Sequence, residues 1–341
     1  MNTAQSKLLD ILTHRRGHDS KGEKVFIKKY LYKCKPLTSK TGEVIAYIYD
    51  NHNPKHPNNI LWSSHIDTMH RTEPNKVTQE VFVDTFDTAF VDEKSDCLGA
   101  DDGAGVWLML EMIEADVEGT YIFHRGEERG CWGSKQVATD HEEYLKTFTH
   151  AIAFDRRGNT SIITHQSSSR CCSDILGQSL IDLFSMRFVL DDTGVFTDTA
   201  EYVHLIPECL NISIGYQSEH TSKETLDLNF ALELRNKIVS IQWDKIALPV
   251  ERKPEARPSY SYYGGLYGGY YGDNSYDEIM YMSNKQLNKW VEKSSSKQIA
   301  YVLEDLIAQV QYLEDIVNEN GAYAYPYADN DEALDKPPYQ Y

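Results

Sequence analysis

Short apolar runs alternate with longer amphipathic segments through the first 250 residues of the chain. The runs "EVIAYIYD", "NNILWSSH", "GTYIFHRG", "HAIAFD", "SIITHQ" and "LNISIGY" are rich in β-branched and aromatic residues and predict strands. Segments such as "KVFIKKYLY", "GAGVWLMLEMIEA", "SKQVATDHEEYLKTF" and "SDILGQSLIDLFSM" predict helices. This alternation predicts an α/β fold, with helices in layers around a mixed, largely parallel central sheet.

The pattern changes after residue 250. Residues 1–250 are predicted to form one domain that begins with an amphipathic helix. Residues 251–276 are rich in Tyr and Gly and predict a low-complexity linker. Residues 277–320 regain helical spacing and predict a helical extension, which could dock on the core or on a partner, or form an oligomer. Residues 321–341 predict a disordered acidic tail.

Composition excludes several classes of protein. The formal net charge of −18 argues against binding to nucleic acid or to anionic lipid, which needs a basic surface. No run approaches the 18 or so apolar residues of a membrane span. The N-terminal stretch lacks the apolar core of a signal peptide, and the six cysteines have no CxxC spacing. We therefore predict a cytoplasmic protein with free thiols.

Candidate reactive side chains follow the predicted strands. His65 and Asp67 follow "NILWSS" and, two positions apart, project from one face of a strand. Asp67 could hold the imidazole of His65, as a carboxylate commonly does beside a metal-bound histidine. Asp101 and Asp102 open the apolar helix "GAGVWLMLEM", where an N-cap role is the alternative.

Three more segments show the same placement. Glu127 and Glu128 follow the strand "TYIF", between glycines that allow tight turns. Asp155 ends an otherwise apolar strand, where a lone charge is costly unless it is paired or coordinated. His220 follows "NISIGY", and a helix is predicted after it. Each of these residues alone has a structural explanation, and their combination is what favours chemistry.

Two histidines and several carboxylates at strand ends suit Zn²⁺, with Co²⁺ or Mn²⁺ as alternatives. One shared carboxylate can hold two ions side by side. The predicted ligands are His65, Asp155 and Asp101 for one ion, and Glu128, His220 and the same Asp101 for the other. Glu127 then remains unligated and is predicted to act as the general base, while Asp67 orients His65.

The order of these motifs resembles that of the co-catalytic zinc exopeptidases. H-x-D, G-A-D-D-x-A-G, E-E-x-G-x-x-G-S, a strand-ending Asp and a late His are similar to the leucyl-aminopeptidase-like, peptidase T-like and carboxypeptidase G2-like enzymes. The resemblance covers roughly residues 5–240. It implies a three-layer α/β/α sandwich, two zinc ions per chain, and release of N-terminal residues from a peptide or aminoacyl substrate. "GVFTDTAEY" is similar to a loop on the substrate side, which makes Thr197 and Asp198 substrate-binding candidates.

The spacing of the late ligands favours one branch of this family. Asp155 and His220 are 65 residues apart, which resembles the members without an inserted lid domain. A local group must then polarise the substrate carbonyl. The open candidates are His165, His204, Tyr202 and Tyr216.

Two alternative functions are compatible with the same residues. An N-acyl amino acid deacylase or a carboxypeptidase would need a cation for the substrate carboxylate, for which Arg156, Arg157 or Arg170 could serve. A metal-free relative would instead act as a binding or scaffolding module, using the Tyr/Gly segment and the C-terminal helix as its interaction surface.

Overall fold

The computed structural model describes residues 3–55, 58–71, 76–166 and 169–249. The predicted linker at 251–276, the helical extension at 277–320 and the acidic tail at 321–341 lie outside the described residues. The helices are α1 Thr3–Leu12, α2 Lys21–Tyr30, α3 Ala100–Glu114, α4 Trp132–Asp140, α5 Glu142–Leu145, α6 Asp174–Phe184 and α7 Leu228–Ile238. Short 3-10 helices cover Glu127–Arg129, Asp198–Tyr202 and Trp243–Lys245.

Fourteen short strands lie between the helices in the described part of the chain. The strands that follow α2 are β1 Lys35–Thr38, β2 Val44–Asn51, β3 Ile60–His65, β4 Phe82–Val83 and β5 Thr88–Phe90. Those between α3 and α6 are β6 Gly119–His124, β7 His150–Arg156, β8 Ser161–Ile163, β9 His165–Gln166 and β10 Ser169–Arg170. The last are β11 Val189–Asp191, β12 Glu208–Ser213, β13 Tyr216–Gln217 and β14 Thr225–Asp227.

Eight strands form one sheet in the order β1-β2-β6-β3-β7-β12-β8-β11. The four central strands β6, β3, β7 and β12 are parallel to one another, whereas β1, β2 and β8 introduce antiparallel pairs. Every residue of β3, β6 and β12 is buried, so both faces of the sheet are covered. The predicted mixed, largely parallel sheet with helices is therefore confirmed.

A second sheet of four antiparallel strands, in the order β13-β14-β5-β4, was not predicted. Its strands are two or three residues long and carry no clear alternation, so their pairing comes from the tertiary structure. The loop that joins β13 to β14 contains His220. This small sheet thus positions one of the predicted metal ligands.

Local sequence signals explain several helices near the site. Leu8, Ile11 and Leu12 are the buried side of α1, as the amphipathic pattern predicted. The side chain of Ser20 caps α2 by accepting a hydrogen bond from the backbone N–H of Glu23.

The segment between Asp155 and His220 adds strands to the main sheet and, within its described residues, forms no separate lid domain. None of the described helices has the length and hydropathy needed to span a membrane.

Candidate metal centre

The five predicted ligands converge at the carboxyl ends of the central parallel strands. His65 is the last residue of β3 and Asp155 lies near the end of β7. Glu128 follows β6 in the 3-10 helix Glu127–Arg129, and His220 comes from the loop after β13. Catalytic groups in open α/β sheets collect at this edge because parallel strands all end there.

Asp101 lies between the two histidines. Its Oδ1 is 3.1 Å from Nε2 of His65, and its Oδ2 is 3.1 Å from Nε2 of His220. Each carboxylate oxygen therefore faces a different half of the cluster, as expected for a carboxylate shared by two ions. Gly99, which precedes this turn, has a left-handed backbone with φ +73°, and the Asp101–Asp102 peptide bond is cis.

The half of the cluster that contains His65 is buried and densely hydrogen-bonded. Oδ1 of Asp155 lies 3.6 Å from Nε2 of His65. The hydroxyl of Thr197 donates to Oδ2 of Asp155 at 2.7 Å, and that of Tyr216 donates to Oδ1 at 3.1 Å. The side-chain amide of Asn211 bonds both the backbone N–H and the carbonyl of Asp155. Thr197, placed on the substrate side by the sequence, thus supports a predicted ligand directly.

The other half is more open. Nε2 of His220 lies 3.2 Å from Oε2 of Glu128, and the His220 side chain is 39% exposed. His220 also has a positive φ of 64°, an uncommon conformation for a residue other than glycine. Oε1 of Glu128 is buried and has no hydrogen-bond partner within the described residues.

Glu127 stands beside the cluster rather than in it. Its Oε2 lies 3.9 Å from Nε2 of His65, and its side chain is 16% exposed. Its Oε1 accepts a hydrogen bond from the thiol of Cys131 at 3.5 Å. Gly126 and Gly130 flank it with left-handed backbones, so the paired glutamates turn within one short 3-10 helix. This placement leaves a carboxylate available next to the cluster.

Asp67 contacts the site differently from the sequence prediction. Nδ1 of His65 lies 3.0 Å from the backbone carbonyl of Asp67 but 3.9 Å from its carboxylate. The carboxylate instead accepts hydrogen bonds from the backbone N–H groups of Gly126 and Glu127. Asp67 therefore orients the imidazole through its main chain and the glutamate loop through its side chain.

Asp198 points into the interior. It is 1% exposed, and its Oδ2 lies 3.1 Å from Nδ1 of His124, whose Nε2 is 2.5 Å from the hydroxyl of Tyr202. Tyr202, one of the candidate carbonyl-polarising groups, is thus engaged with His124. Tyr216, another of those candidates, reaches the cluster through its bond to Asp155.

Asp102 and Glu224 also lie close to the cluster. The oxygens of Asp102 accept hydrogen bonds from the Ser64 hydroxyl and from the backbone N–H groups of His65 and Gly105. Asp102 can be grouped with His65 and Asp155 as a ligand set on distance alone. We assign Asp101 instead, because it faces both histidines, whereas the oxygens of Asp102 are already engaged.

The cluster contains more carboxylates than positively charged groups, and this imbalance shifts several pKa values. Burial and the neighbouring Asp101 raise the pKa of Asp155 to about 6, and burial together with Asp101 raises the pKa of Glu128 to about 7. Burial lowers the pKa of His220, but its hydrogen bonds to Asp101 and Glu128 outweigh this effect and raise it to about 12. Burial and nearby carboxylates likewise raise the pKa of Glu127. Cations in this cluster would relieve the repulsion among the carboxylates.

The donor set fits divalent transition metals. Imidazole and carboxylate ligands suit Zn²⁺, and the ligand atoms of His65, Asp101 and Glu128 lie within 4.8 Å of one another. The buried, unpartnered Oε1 of Glu128 is the kind of orphaned oxygen that a cation would satisfy. His65, Asp155 and Asp101 would hold one ion, and His220, Glu128 and Asp101 the other.

Part of the chain matches a known peptidase family, and its fold is similar to that of solved peptidases. Residues 44–174 match the model of Peptidase family M28. Aminopeptidase PepT from Bacillus cereus is 14% identical in sequence, with a TM-score of 0.55 over 69% of this chain and 96% of that chain. A tripeptidase from Staphylococcus aureus is 13% identical, with a TM-score of 0.54 and the same coverage of both chains.

A third solved structure shares the fold. The TET1 peptidase of Pyrococcus horikoshii is 15% identical, with a TM-score of 0.51 over 69% of this chain and 98% of that chain. Its chains can assemble into a tetrahedron or a large octahedral shell. No curated protein matches the sequence. The family match over residues 44–174 agrees with the resemblance to zinc exopeptidases and with the prediction of a metallo-exopeptidase, and these structures confirm the α/β fold.

Proposed function

Residues 44–174 match a peptidase family, and from this premise we propose that the chain is a two-zinc aminopeptidase with Glu127 as its general base. The observation that carries the proposal is the position of Asp101. Its Oδ1 lies 3.1 Å from Nε2 of His65, and its Oδ2 lies 3.1 Å from Nε2 of His220. That arrangement places one carboxylate between two sets of nitrogen and oxygen donors. It is the arrangement that a pair of neighbouring divalent ions requires.

The metal site, Glu127 and Asp67 each have a separate role in the proposed hydrolysis. Two zinc ions bound here would polarise the scissile carbonyl and make water a stronger nucleophile at neutral pH. Glu127 accepts the proton of the attacking water on its carboxylate and passes it to the leaving amine. Burial raises the pKa of Glu127, and a higher pKa makes a carboxylate a better proton acceptor. Asp67 holds the loop of Glu127 through two backbone hydrogen bonds.

The charges around the site support an N-terminal amine as the recognised group. The carboxylates of Asp101, Glu128 and Asp155 belong to the cluster, and that of Glu127 stands beside it. The arginines considered for a substrate carboxylate are all in ion pairs: Arg156 with Asp191, Arg157 with Glu219 and Arg170 with Asp174. A deacylase or carboxypeptidase would first have to break one of these pairs. An N-terminal amine needs no cation for its recognition, which favours the aminopeptidase.

A substrate comparison tests the assignment. Zinc-loaded protein should hydrolyse aminoacyl-anilides and leave N-acetyl amino acids intact. Glu127→Gln should lower kcat by about 100- to 10,000-fold and keep the zinc content, since it removes the base and no ligand. The matched control is Glu143→Gln, in which an exposed glutamate of α5 is changed. Near-normal turnover by Glu127→Gln, or a preference for the N-acetyl substrates, would contradict the proposal.

A further inference from the structure

Two fully buried charged residues outside the ligand set form hydrogen bonds to the backbone of the loop that carries Asp101. Arg16 is 0% exposed and donates from Nη2 to the carbonyl of Gly99 at 2.9 Å. Glu224 accepts from the backbone N–H of Gly99 at 2.9 Å and from that of Asp101 at 3.0 Å. A buried cation thus holds the carbonyl of Gly99 while a buried anion holds the N–H groups of the same loop.

Each of these residues also ties the loop to a histidine of the cluster. Nε of Arg16 donates to the carbonyl of Ile66 at 2.9 Å, directly after His65. Glu224 lies four residues after His220, in the short loop that leads to β14. Arg16 therefore fixes the Asp101 loop relative to His65, and Glu224 fixes it relative to the His220 segment.

Hydrogen bonds and close packing fix the position of the Arg16 guanidinium. The remaining bonds of its guanidinium go to the carbonyls of Ile11 and His14. A Cβ on Gly103, in the first turns of α3, would lie 2.7 Å from Nη2 of Arg16. A larger residue at this position would push against the guanidinium, so glycine leaves room for Arg16 in its observed position. An apolar replacement of Arg16 would remove a donor from four buried carbonyls, although those of Gly99 and Ile11 would keep the backbone N–H groups of Gly103 and His14.

We infer that Arg16 and Glu224 are positioning residues that set the distances of Asp101 from His65 and His220, and so determine how tightly the cluster binds zinc. The inference rests on the proposed two-zinc site and extends it to residues that touch no metal. Groups that orient metal ligands commonly change metal affinity by about 10- to 100-fold when they are altered. Neither residue is assigned contact with the substrate.

The test is zinc affinity, measured by competition with a chromophoric chelator, together with the visible spectrum of the Co²⁺-substituted protein. Arg16→Lys keeps the charge but loses the planar guanidinium, which donates to four carbonyls. Glu224→Gln keeps the shape but replaces one acceptor oxygen with a donor amide. Both variants should bind zinc about 10- to 100-fold more weakly and show altered Co²⁺ bands.

Matched controls separate positioning from simple destabilisation. Arg15→Lys changes a neighbouring buried arginine that pairs with Asp96, and Glu208→Gln changes a buried glutamate that accepts from the backbone of Ser173. Both controls should keep the zinc affinity and Co²⁺ spectrum of the unaltered protein, even where thermal stability falls. If Arg16→Lys does not fold, Glu224→Gln alone decides.

The outcomes distinguish this inference from the proposed function. If the unaltered protein binds two zinc ions and both test variants match its affinity and spectrum, the positioning role is wrong. A lower Tm with normal zinc affinity would contradict that role too, since it would mean that the two residues only stabilise the fold. If the unaltered protein binds fewer than two ions, or Asp101→Ala binds zinc normally, the two-zinc site itself fails and the inference falls with it.

Discussion

The two halves of the candidate metal centre are built differently. His65 and Asp155 stand on neighbouring parallel strands, with side chains 1% and 7% exposed, and Asp155 is held by three hydrogen-bonding side chains. Glu128 lies in a short 3-10 helix and His220 in a loop, and the His220 side chain is 39% exposed. One half is fixed by the central sheet, and the other depends on loop geometry.

This difference predicts a division of labour. Ligands on rigid strands lose little freedom on binding an ion, so the half with His65 should bind zinc more tightly. The half with His220 is the more exposed, so we expect a substrate to approach the site from that side. A loop-borne ligand can also adjust when a substrate amine arrives. The asymmetry therefore separates retention of metal from recognition of substrate.

The largest effect is expected from the residue that both halves share. Asp101→Ala should lower the zinc content to less than one ion per chain after dialysis and abolish activity, because each ion loses a ligand. The increase in Tm that zinc gives to the unaltered protein should disappear as well, since that increase comes from binding to the folded state. Metal analysis and thermal unfolding with and without zinc measure both effects.

An exposed aspartate provides the control for this prediction. Asp244→Ala, in the last 3-10 helix, should retain two zinc ions and full activity. If Asp101→Ala still held one tightly bound ion, the carboxylate would belong to only one half of the site. The comparison of the two halves would then need a different shared ligand.

Removal of one histidine at a time should separate the halves. His220→Ala should keep one tightly held zinc ion, whereas His65→Ala should lose the tightly held ion and bind the other weakly. In the unaltered protein, a chelator should remove zinc in two phases, the faster from the half with His220. Metal content after timed exposure to chelator measures this, and a single phase would show that the halves are equivalent.

The hydrogen bonds to Asp155 offer a finer test of the buried half. Thr197→Val and Tyr216→Phe each remove one donor to its carboxylate and keep most of the side-chain volume. Each should weaken the tighter zinc site by about 10- to 100-fold and leave the weaker site unchanged. Tyr202→Phe is the control, because its hydroxyl contacts His124 rather than Asp155. Equal weakening of both sites would point to a general loss of packing.

The sequence predicted the sheet and the convergent residues for one physical reason. Long apolar runs identify buried parallel strands, and the residues that follow such strands must meet at one edge of the sheet. This is how His65, Glu128 and Asp155 could be brought together from separate segments. The helix after His220 was also predicted, and α7 lies there.

Other features depend on contacts that no local pattern encodes. The four-stranded sheet consists of strands too short for periodicity. Asp67 was expected to bond His65 through its carboxylate, yet that carboxylate found two backbone N–H groups about sixty residues away in the chain. Arg16 and Glu224 could not be recognised, since a single charged residue in a sequence gives no sign of complete burial. The HxD and EExG motifs predict which residues act, but they give no sign of which residues hold those in position.

The smallest effect is expected at Cys131, whose thiol donates to Oε1 of Glu127. Cys131→Ala removes this donor and should lower kcat about fivefold, equivalent to about 1 kcal/mol, the usual net value of one hydrogen bond. Cys131→Ser keeps a donor and should retain most of the activity, with KM unchanged in both variants. Cys209→Ala, at another buried cysteine, controls for the loss of a sulfur atom from the interior. Equal losses in the Ala and Ser variants of Cys131 would show that the thiol fills space beside Glu127 without orienting it.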